Sequence, residues 1–465
     1  MMLRPLLPMV LMTCLVGCVN LAPDYQTPEA PIPSQWPASA AVSEQLPADI
    51  GWEQFFTDAR LRNTVRLALS NNRDLRIAAL DIQKARAEYR ITRADLFPSV
   101  SSSATGTREH GSSGSYSGST SSGVSNTYTV ELGFSSYEID VFGRLNNLKD
   151  AALETYLATE ETRRSTQISL VAEVASAWLT LASNQQLLAL AQQTYTSQQK
   201  TYSLVERSHA LGGSSGLELA QARSTVETAR ADVANYQSEV EQSINALNLL
   251  VGASVPDSLL PDDQAGSIAL LVQVPTELPS TMLQRRPDVL AAEHTLKAAN
   301  ADIGAARAAF FPSLTLTAAT GTASTELSNL FKGSSRTWSF APSLNLPIFN
   351  AGANRASLEA AKVEKQIEIA QYESILQTAF KEVADALAVR GHINERLDAQ
   401  QAYTDANQRS LDLAQALYQQ GSESFLSVLD AQRSLYSAQQ TLISLKLSEQ
   451  NNRVTLYKVL GGGWG

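Results

Sequence analysis

Several segments of the chain alternate hydrophobic and polar residues with a period of two, the pattern of a strand whose two faces meet different surroundings. Together with a Ser/Thr-rich segment in the corresponding place of the first half, they predict strands at about residues 98–110, 126–142, 312–323 and 336–349. In the last segment one parity carries the hydrophobic residues Trp338, Phe340, Pro342, Leu344, Leu346 and Ile348. In the second, the alternation changes phase at Ser135-Ser136, which predicts a β-bulge. The pattern therefore predicts four strands.

Two long stretches without proline, residues 144–207 and 353–419, predict helices of unusual length. Each would extend about 95–100 Å at 1.5 Å per residue. Breaks follow at Leu211-Gly212-Gly213 and at Gln420-Gly421-Ser422, where glycine permits a left-handed helix cap. The chain is therefore expected to reverse direction at both breaks.

A heptad pattern follows each break and predicts a returning helix that packs against the long one. The first seam consists of Leu219, Ala222, Val226, Ala229, Val233, Tyr236 and Val240. The second consists of Leu426, Leu429, Arg433, Tyr436, Gln440, Ile443 and Leu447. We expect two antiparallel coiled-coil hairpins with tips at about residues 208–217 and 419–425.

The order helix, two strands, long helix, turn and helix occurs twice. Phe97-Pro98-Ser99 corresponds to Phe311-Pro312-Ser313, where proline ends a helix because it disfavours helical geometry in the preceding residue. We place the repeats at residues 61–252 and 275–465, with a linker at 253–274. Residues 18–60 are rich in proline, which predicts an extended arm rather than a folded domain.

Composition and charge exclude several classes of function. Charged residues make up only 18% of the 465 residues, and the net charge is −10, so no basic surface for nucleic acid is expected. Four scattered histidines offer little for metal binding. Neither a phosphate-binding loop nor a zinc-protease or nucleophile-elbow motif occurs. We expect no catalytic residues, no metal and no cofactor.

The N-terminus has the form of a secretory signal, with Arg4 followed by a short apolar run. It ends at Leu15-Val16-Gly17-Cys18, which resembles the lipobox of bacterial lipoproteins. Residues 1–17 are then a signal peptide, and Cys18 becomes the acylated first residue of the mature chain. The residue after it, Val19, is compatible with sorting to the outer membrane. The alternative is an ordinary signal peptide with an incidental cysteine.

Four strands cannot close a sheet in a membrane, where unpaired strand edges are not tolerated. Closure requires at least about eight strands, and three copies of the chain would supply twelve. The alternative to membrane strands is a half-buried sheet in a soluble protein. Strands of ten or more residues would be long for such a sheet. The pattern indicates an oligomeric duct with a membrane barrel and a helical tunnel.

The whole mature chain resembles the TolC family of outer membrane efflux factors, in the acylated branch that serves resistance-nodulation-division pumps. The resemblance rests on the lipobox, on "GWEQFFTDARL", on the paired "FPS" junctions, on "YEIDVFGR" against "LPIFNAG", and on the tips "HALGGSSGLELAQAR" and "ALYQQGSESFLSVLDAQRS". It implies a mixed α and β membrane protein that forms a homotrimer, with a twelve-stranded barrel continued by a coiled-coil α-helical barrel in the periplasm.

The implied function is the passive exit channel of a tripartite efflux system. Its partners would be a periplasmic adaptor, an inner-membrane pump of the resistance-nodulation-division class and the lipids of the outer membrane. The resemblance leaves the substrate open among drugs, solvents and metal ions. The sequence is also compatible with the exit duct of a type I secretion system and, less well, with a structural lipoprotein that spans the periplasm.

The resemblance also implies a gate near the periplasmic tip. It places Asp430 on the lumen side with Leu426 and Arg433 beside it, so that three copies would form a ring of carboxylates. The alternative is that Asp430 and Arg433 form a surface ion pair at i,i+3. Ser427 and Glu423 depart from the family, some of whose members carry a second gate aspartate and a linking arginine at these positions.

Further residues take their expected roles from the same resemblance. Tyr418 would tether the closed state to Glu218 on the neighbouring hairpin. The glycine tips at Gly212, Gly213 and Gly421 would contact the adaptor, or would serve only as turns. A periplasmic-side aromatic belt is expected from the four phenylalanines that flank the strands, Phe97, Phe142, Phe311 and Phe349.

Overall fold

The structure is a computed structural model that describes residues 20–33, 50–110, 123–262 and 280–462. The predicted signal peptide, Cys18, the Ser/Gly-rich stretch 111–122 and most of the predicted linker lie outside the described residues. Two units divide the chain, and each is described separately. Unit 1 comprises Met1–Glu29, Asp81–Thr159 and Ala291–Tyr372, and unit 2 comprises Ala30–Leu80, Glu160–Leu290 and Glu373–Gly465.

The helices and strands follow the predicted order in both repeats. In the first repeat they are α1 Trp52–Phe55, α2 Ala59–Asn71, α3 Arg73–Ala94, β1 Ser101–His110, β2 Val124–Ile139, α4 Arg144–Ala210 and α5 Gly216–Val251. In the second they are α6 Pro287–Ala308, β3 Ser313–Ser324, β4 Arg336–Asn345, α7 Ala353–Gln419 and α8 Phe425–Val459. Short 3-10 turns connect some of them.

The two long helices are continuous, as predicted. Both α4 and α7 contain 67 residues, which corresponds to about 100 Å. The returning helices α5 and α8 contain 36 and 35 residues. Gly391 lies inside α7 without interrupting it. No helix among the described residues is long and apolar enough to cross a membrane.

The four strands of unit 1 form one antiparallel sheet in the order β1-β2-β3-β4. The pairing of β2 with β3 shifts register between Phe134 and Tyr137. Ser136 has a φ of 55°, and its backbone N–H donates to Thr317 Oγ1 at 3.1 Å. These features confirm the bulge predicted from the change of phase, because an unpaired residue lets β2 bend without moving its side chains to the wrong face.

The strand ends differ from the predicted bounds. β1 begins at Ser101 rather than near residue 98, and Ser101 pairs with Gly133 of β2. β2 ends at Ile139, before residue 142, in a turn where Val141 N–H donates to Ile139 C=O and Gly143 has a φ of 74°. β4 ends at Asn345, before residue 349, where its partner Ser313 is the first residue of β3.

The hydrophobic side chains at alternate positions of β4 are exposed in the single chain. Trp338, Phe340 and Leu344 are 80%, 61% and 69% accessible. Side chains of this size are rarely left in contiguous contact with water, so this face requires either lipid or another protein surface. The sheet therefore has the two-faced character predicted from the alternation, with no core beneath that face among the described residues.

Unit 2 has a core in which the segment just before repeat 1, at the end of the predicted arm, packs against the end of repeat 2. The ring of Phe55 stacks on that of Tyr457 with centroids 4.1 Å apart. Tyr457 Oη donates to Ile50 C=O at 2.9 Å, and Trp178 Nε1 donates to Leu259 C=O at 3.0 Å. The "GWEQFF" motif thus supplies core aromatics.

We expect Gly321→Val to destabilise the β2–β3 pair. A Cβ at Gly321 would overlap Val130 O and would lie only 2.6 Å from Glu131 Cα, so the facing backbone would have to move. Overpacking of this kind costs about 1–3 kcal/mol. Urea unfolding of the purified protein, followed by tryptophan fluorescence and gel mobility, measures the loss.

Gly106→Val in β1 is the matched control for this substitution. A Cβ there would meet only the ring of Tyr128, at an ordinary distance of 3.4 Å from Cδ1, and should be tolerated. Equal loss of stability in both variants would contradict the close approach at Gly321.

Candidate functional site at the helical tips

The first tip is a helix–turn–helix whose geometry depends on one left-handed glycine. Gly212 has a φ of 78°, its N–H donates to His209 C=O at 2.9 Å, and the N–H of Gly213 donates to Ser208 C=O at 2.8 Å. This is a Schellman motif, which satisfies the last carbonyls of α4. The predicted tip at Gly212 and Gly213 is therefore confirmed as a turn.

A capping box starts the returning helix α5. Ser215 Oγ accepts from Glu218 N–H at 3.2 Å, and Glu218 Oε2 accepts from Ser215 N–H at 2.8 Å. The two contacts satisfy donors that would otherwise be unpaired at the first turn. The carboxylate of Glu218, the predicted tether residue, therefore has a partner within its own tip.

The second tip repeats the same turn. Gly421 has a φ of 75°, its N–H donates to Tyr418 C=O, and Ser422 N–H donates to Leu417 C=O, both at 2.9 Å. Ser424 caps α8 by accepting from Ser427 N–H. Both hairpins thus end in the same Schellman turn followed by a serine cap.

The two positions that depart from the family pattern contact each other. Ser427 Oγ donates to Glu423 Oε2 at 2.8 Å. The serine hydroxyl and the glutamate carboxylate therefore form a local pair at the first turn of α8, where a negative charge is also favoured by the helix dipole.

The predicted gate residues lie along one exposed stripe at the start of α8. Leu426 is 47% accessible, and the side chains of Asp430 and Arg433 are 62% and 60% accessible. Arg433 Nη1 and Asp430 Oδ1 are 3.4 Å apart, which is the ion pair of the alternative interpretation. An exposed pair of this kind contributes little stability, so the stripe is free to face a lumen or a neighbouring chain.

Tyr418 and Glu218 are not joined by a hydrogen bond within the described residues of this chain. The ring of Tyr418 packs against Phe425 with centroids 5.5 Å apart and planes inclined by 48°. Glu218 remains in its capping box. The predicted tether therefore stays a prediction about the assembled protein.

The predicted seam of α8 is partly wrong. Its Leu426 and Arg433 are exposed, whereas the most buried residues include Phe425, Val428, Gln432, Leu435, Ala438, Leu442 and Leu445. The reason is that α8 meets several helices at once. Phe425 and Leu429 share an apolar cluster with Val205 of α4, Ala222 of α5 and Leu411 of α7. A two-helix heptad pattern cannot predict such packing.

The other half of the predicted α8 seam faces α5 through hydrogen bonds. Tyr436 Oη donates to Asp232 Oδ2 at 3.2 Å, and one turn further Gln440 Nε2 donates to Tyr236 Oη at 3.0 Å. Burial, and then the charge of Asp232, raises the pKa of Tyr436 above its usual range. These bonds join the two hairpins and were not predicted from the sequence.

A buried amide pair joins α4 to α8 closer to the tips. Gln198 Nε2 donates to Gln432 Oε1, and Thr225 Oγ1 donates to Gln198 Oε1, each at 3.0 Å. Gln198 and Gln432 are only 7% and 8% accessible. Gln432 lies outside the predicted seam of α8 and no seam is predicted for α4, so the heptad pattern does not indicate this contact between hairpins.

In unit 1, two of the four predicted belt phenylalanines contact each other. Phe142 and Phe311 stack with ring centroids 4.7 Å apart. Phe97 and Phe349 are 62% and 88% accessible. The stack joins the end of β2 to the start of β3, so the junction is built as the paired motifs indicate, while the role of the four rings as a belt stays a prediction.

Among the residues that the structure describes, no group of three or more His, Cys, Asp or Glu side chains is placed to hold a metal ion. The candidate site consists instead of turns, exposed stripes and contacts between hairpins.

Comparison with known proteins gives a family match in both halves of the chain. The family described as "Outer membrane efflux protein" matches residues 64–253 and again residues 278–462. The two matches coincide closely with the two repeats found in the sequence.

Curated relatives align with the chain over nearly its full length. It is 48% identical to the probable efflux pump outer membrane protein TtgC of Pseudomonas putida, over 100% of this chain and 96% of the relative. The antibiotic efflux pump outer membrane protein ArpC of Pseudomonas putida is 47% identical, with the same coverage. The cation efflux system protein CusC of Escherichia coli is 44% identical over 99% of this chain and 98% of the relative.

Solved structures share the fold. A crystal structure of CusC superposes with a TM-score of 0.87 at 42% identity, covering 96% of this chain and 100% of that one. The open state of the Neisseria gonorrhoeae MtrE outer membrane channel superposes with a TM-score of 0.86 at 38% identity, covering 96% and 98%. Both similarities confirm the mixed, mostly helical α and β architecture.

We expect Tyr436→Phe to weaken the contact between α8 and α5. The variant loses the hydrogen bond to Asp232 and leaves a half-buried carboxylate without it, which costs about 0.5–1.5 kcal/mol. Because the pKa of Tyr436 is raised in the folded state, its contribution is complete below pH 10 and declines as the pH rises above about 10. Urea unfolding at about pH 7.5 and about pH 10.5 measures the effect. The difference in free energy of unfolding between the parent protein and Tyr436→Phe should be smaller at the higher pH.

Tyr403→Phe serves as the control, since Tyr403 is 55% accessible on α7. If Tyr403→Phe and Tyr436→Phe lose equal stability at neutral pH, the hydroxyl of Tyr436 has no special role.

Proposed function

Because the chain belongs to the outer membrane efflux protein family, we propose that it is the outer-membrane exit channel of a tripartite pump for organic toxicants such as antibiotics and solvents. The observation that carries the substrate class is whole-chain identity of 47–48% to relatives named for antibiotic efflux or for toluene efflux. Energy for transport would come from the inner-membrane pump, so the channel itself needs no cofactor.

The proposed assembly is a homotrimer. Its basis is the four-stranded sheet, in which β1 and β4 are edges and the hydrophobic parity of β4 is exposed. Pairing β4 of one copy with β1 of the next would satisfy both edges, and three copies would close a twelve-stranded barrel. The helices α4, α5, α7 and α8 of three copies would form the tunnel of twelve helices.

Membrane attachment and partner contacts follow from the same proposal. Acylated Cys18 would anchor the chain in the outer membrane, and the four junction phenylalanines would mark the periplasmic boundary of the lipid. The tips at Gly212, Gly213 and Gly421 would meet a periplasmic adaptor, which connects the channel to a pump of the resistance-nodulation-division class. The support for the tip contact is that both hairpins end in the same exposed turn.

A cation exporter is the second candidate, because CusC is 44% identical over nearly the whole of both chains. An exit channel receives whatever its pump delivers, so one channel geometry is compatible with either cargo.

The proposed gate is the exposed stripe of Leu426, Asp430 and Arg433. In a trimer, three copies of Asp430 would form a ring of carboxylates that attracts cations. Tyr418 would reach Glu218 of a neighbouring hairpin to hold the closed state, in competition with the capping box that Glu218 makes here.

Deletion of the gene in its host should reduce the minimum inhibitory concentrations of several antibiotics and the survival in toluene severalfold, because the pump loses its exit. A panel that includes copper and silver salts measures which cargo is affected. Complementation with the intact gene is the control. Sensitivity confined to the metal salts would favour the cation exporter, and an unchanged panel would contradict the proposed function.

We expect Asp430→Ala to raise single-channel conductance in planar bilayers and to lower selectivity for cations, because the variant removes a ring of charges at the proposed constriction. Tyr418→Phe should also raise conductance by weakening the closed state.

The matched control is Asp412→Ala, which removes an exposed carboxylate on α7, outside the proposed gate. This variant should conduct as the parent protein does. Unchanged conductance in both the Asp430 and Tyr418 variants would rule out this gate.

A further inference from the structure

One polar face of α6 has no role in the proposed channel. Glu293, Lys297, Asn300, Gly304 and Arg307 follow one another at intervals of four, three, four and three residues. This spacing places all five on one side of a helix. We name these five residues the arm-binding stripe, because all of them meet the N-terminal arm.

The side chains of the arm-binding stripe hold the arm by hydrogen bonds to the backbone of the arm. Asn300 Nδ2 donates to Pro23 C=O, and Arg307 Nη1 donates to Leu21 C=O, both at 2.9 Å. Asn300 is only 6% accessible, and its Oδ1 also accepts from Lys365 Nζ at 2.8 Å, which fixes the orientation of the amide. Two side chains of the helix therefore bind alternate carbonyls of the arm.

Gly304 lets the arm approach the helix closely. A Cβ at this position would lie 2.8 Å from the backbone N of Ala22 and 2.5 Å from Nδ2 of Asn147. Any other residue would have to displace the arm backbone or the Asn147 side chain. Glycine in the middle of a helix is otherwise unfavourable by roughly 0.5–1 kcal/mol relative to alanine, so its presence here needs a packing reason.

The far end of the stripe surrounds an aromatic ring of the arm. Tyr25 Oη donates to Glu293 Oε1 at 3.4 Å, and Thr27 Oγ1 lies 3.5 Å from the same oxygen. Lys297 Nζ lies 5.4 Å from the centre of the Tyr25 ring and 3.0 Å from Glu293 Oε1. The ring is thus held by a cation and a carboxylate that also pair with each other.

The other repeat keeps only the last residue of this stripe. Helices α3 and α6 both contain 22 residues, and aligning Arg73 with Pro287 gives the equivalent positions. These are Ala79, Gln83, Arg86, Arg90 and Arg93. Gly304 thus corresponds to an arginine. The duplicated helix carries the glutamate, the lysine, the asparagine and the glycine only in the copy that meets the single arm, so these four residues are not a general requirement of the fold.

The arm runs antiparallel to α6. Leu21 lies at Arg307, near the end of the helix, whereas Thr27 lies at Glu293, near its beginning. The end of α6 leads directly to β3, which begins at Ser313. Cys18 is three residues before Leu21 and can be no further from it than about 11 Å.

We propose that the arm-binding stripe is a built-in docking site for residues 21–27, which fixes the point where the lipid-bearing N-terminus leaves the folded protein. The docking site is independent of the proposed function, and only its consequence for the lipid depends on the acylation of Cys18. The acyl chains would then enter the membrane beside the start of β3 rather than at the end of a free tether.

Limited proteolysis of the full-length protein, purified in detergent, tests the docking. Chymotrypsin can cleave after Leu21 or Tyr25 only when the arm leaves the helix, because a protease acts on the transiently opened form. Gly304→Val should accelerate this cleavage at least about tenfold, as measured by intact-mass spectrometry. Gly391→Val is the control, since that glycine also lies within a helix but a Cβ there would meet nothing within 4 Å.

A second pair of variants keeps the test valid if Gly304→Val fails to fold. Arg307→Ala removes only the donor to Leu21, whereas Arg93→Ala alters the equivalent position of α3. The first should accelerate cleavage after Leu21 and the second should not. Equal cleavage rates in the parent protein, Arg307→Ala and Gly304→Val would overturn the proposal, whatever the outcome of the susceptibility panel.

Discussion

A helix of 67 residues cannot be covered by one compact core, and this constraint determines how the chain folds. Its apolar residues are instead covered by other helices that run beside it, and the Schellman turns at Gly212 and Gly421 supply such helices by sending the chain back. Some of the side chains at these contacts are polar, as in the Gln198–Gln432 pair. A compact aromatic core forms where the segment before repeat 1 meets the end of repeat 2, at Phe55 and Tyr457.

The sequence predicts those features whose determinants are local. Alternation located the strands, the change of phase at Ser135-Ser136 located the bulge, and glycines located the tips. The residues of α8 that are buried could not be predicted from the heptad pattern. Phe425, for example, shares a cluster with residues of three other helices, some of them distant in the sequence. The docking of the arm was missed for the same reason: Leu21 and Arg307 are separated by 286 positions, and neither residue is unusual where it stands.

Duplication and divergence explain where the candidate functions lie. The turns, the helix lengths and the strand junctions are shared by both repeats, since they are required to build the framework. The proposed gate and the arm-binding stripe belong to the second repeat alone. The family match covers both halves, which share this framework although the residues of the gate and the stripe differ between them.

The equal length of α4 and α7 has a further consequence for how this protein can evolve. Both helices contain 67 residues although their sequences have diverged, so length is retained where identity is not. One inserted residue would advance a tip by about 1.5 Å and rotate its face by about 100° relative to the other tip. Substitutions along the helices can therefore accumulate one at a time, whereas an insertion in one hairpin is tolerable only with a matching insertion in the other. Evolution can change the length of this protein only by changing both hairpins together.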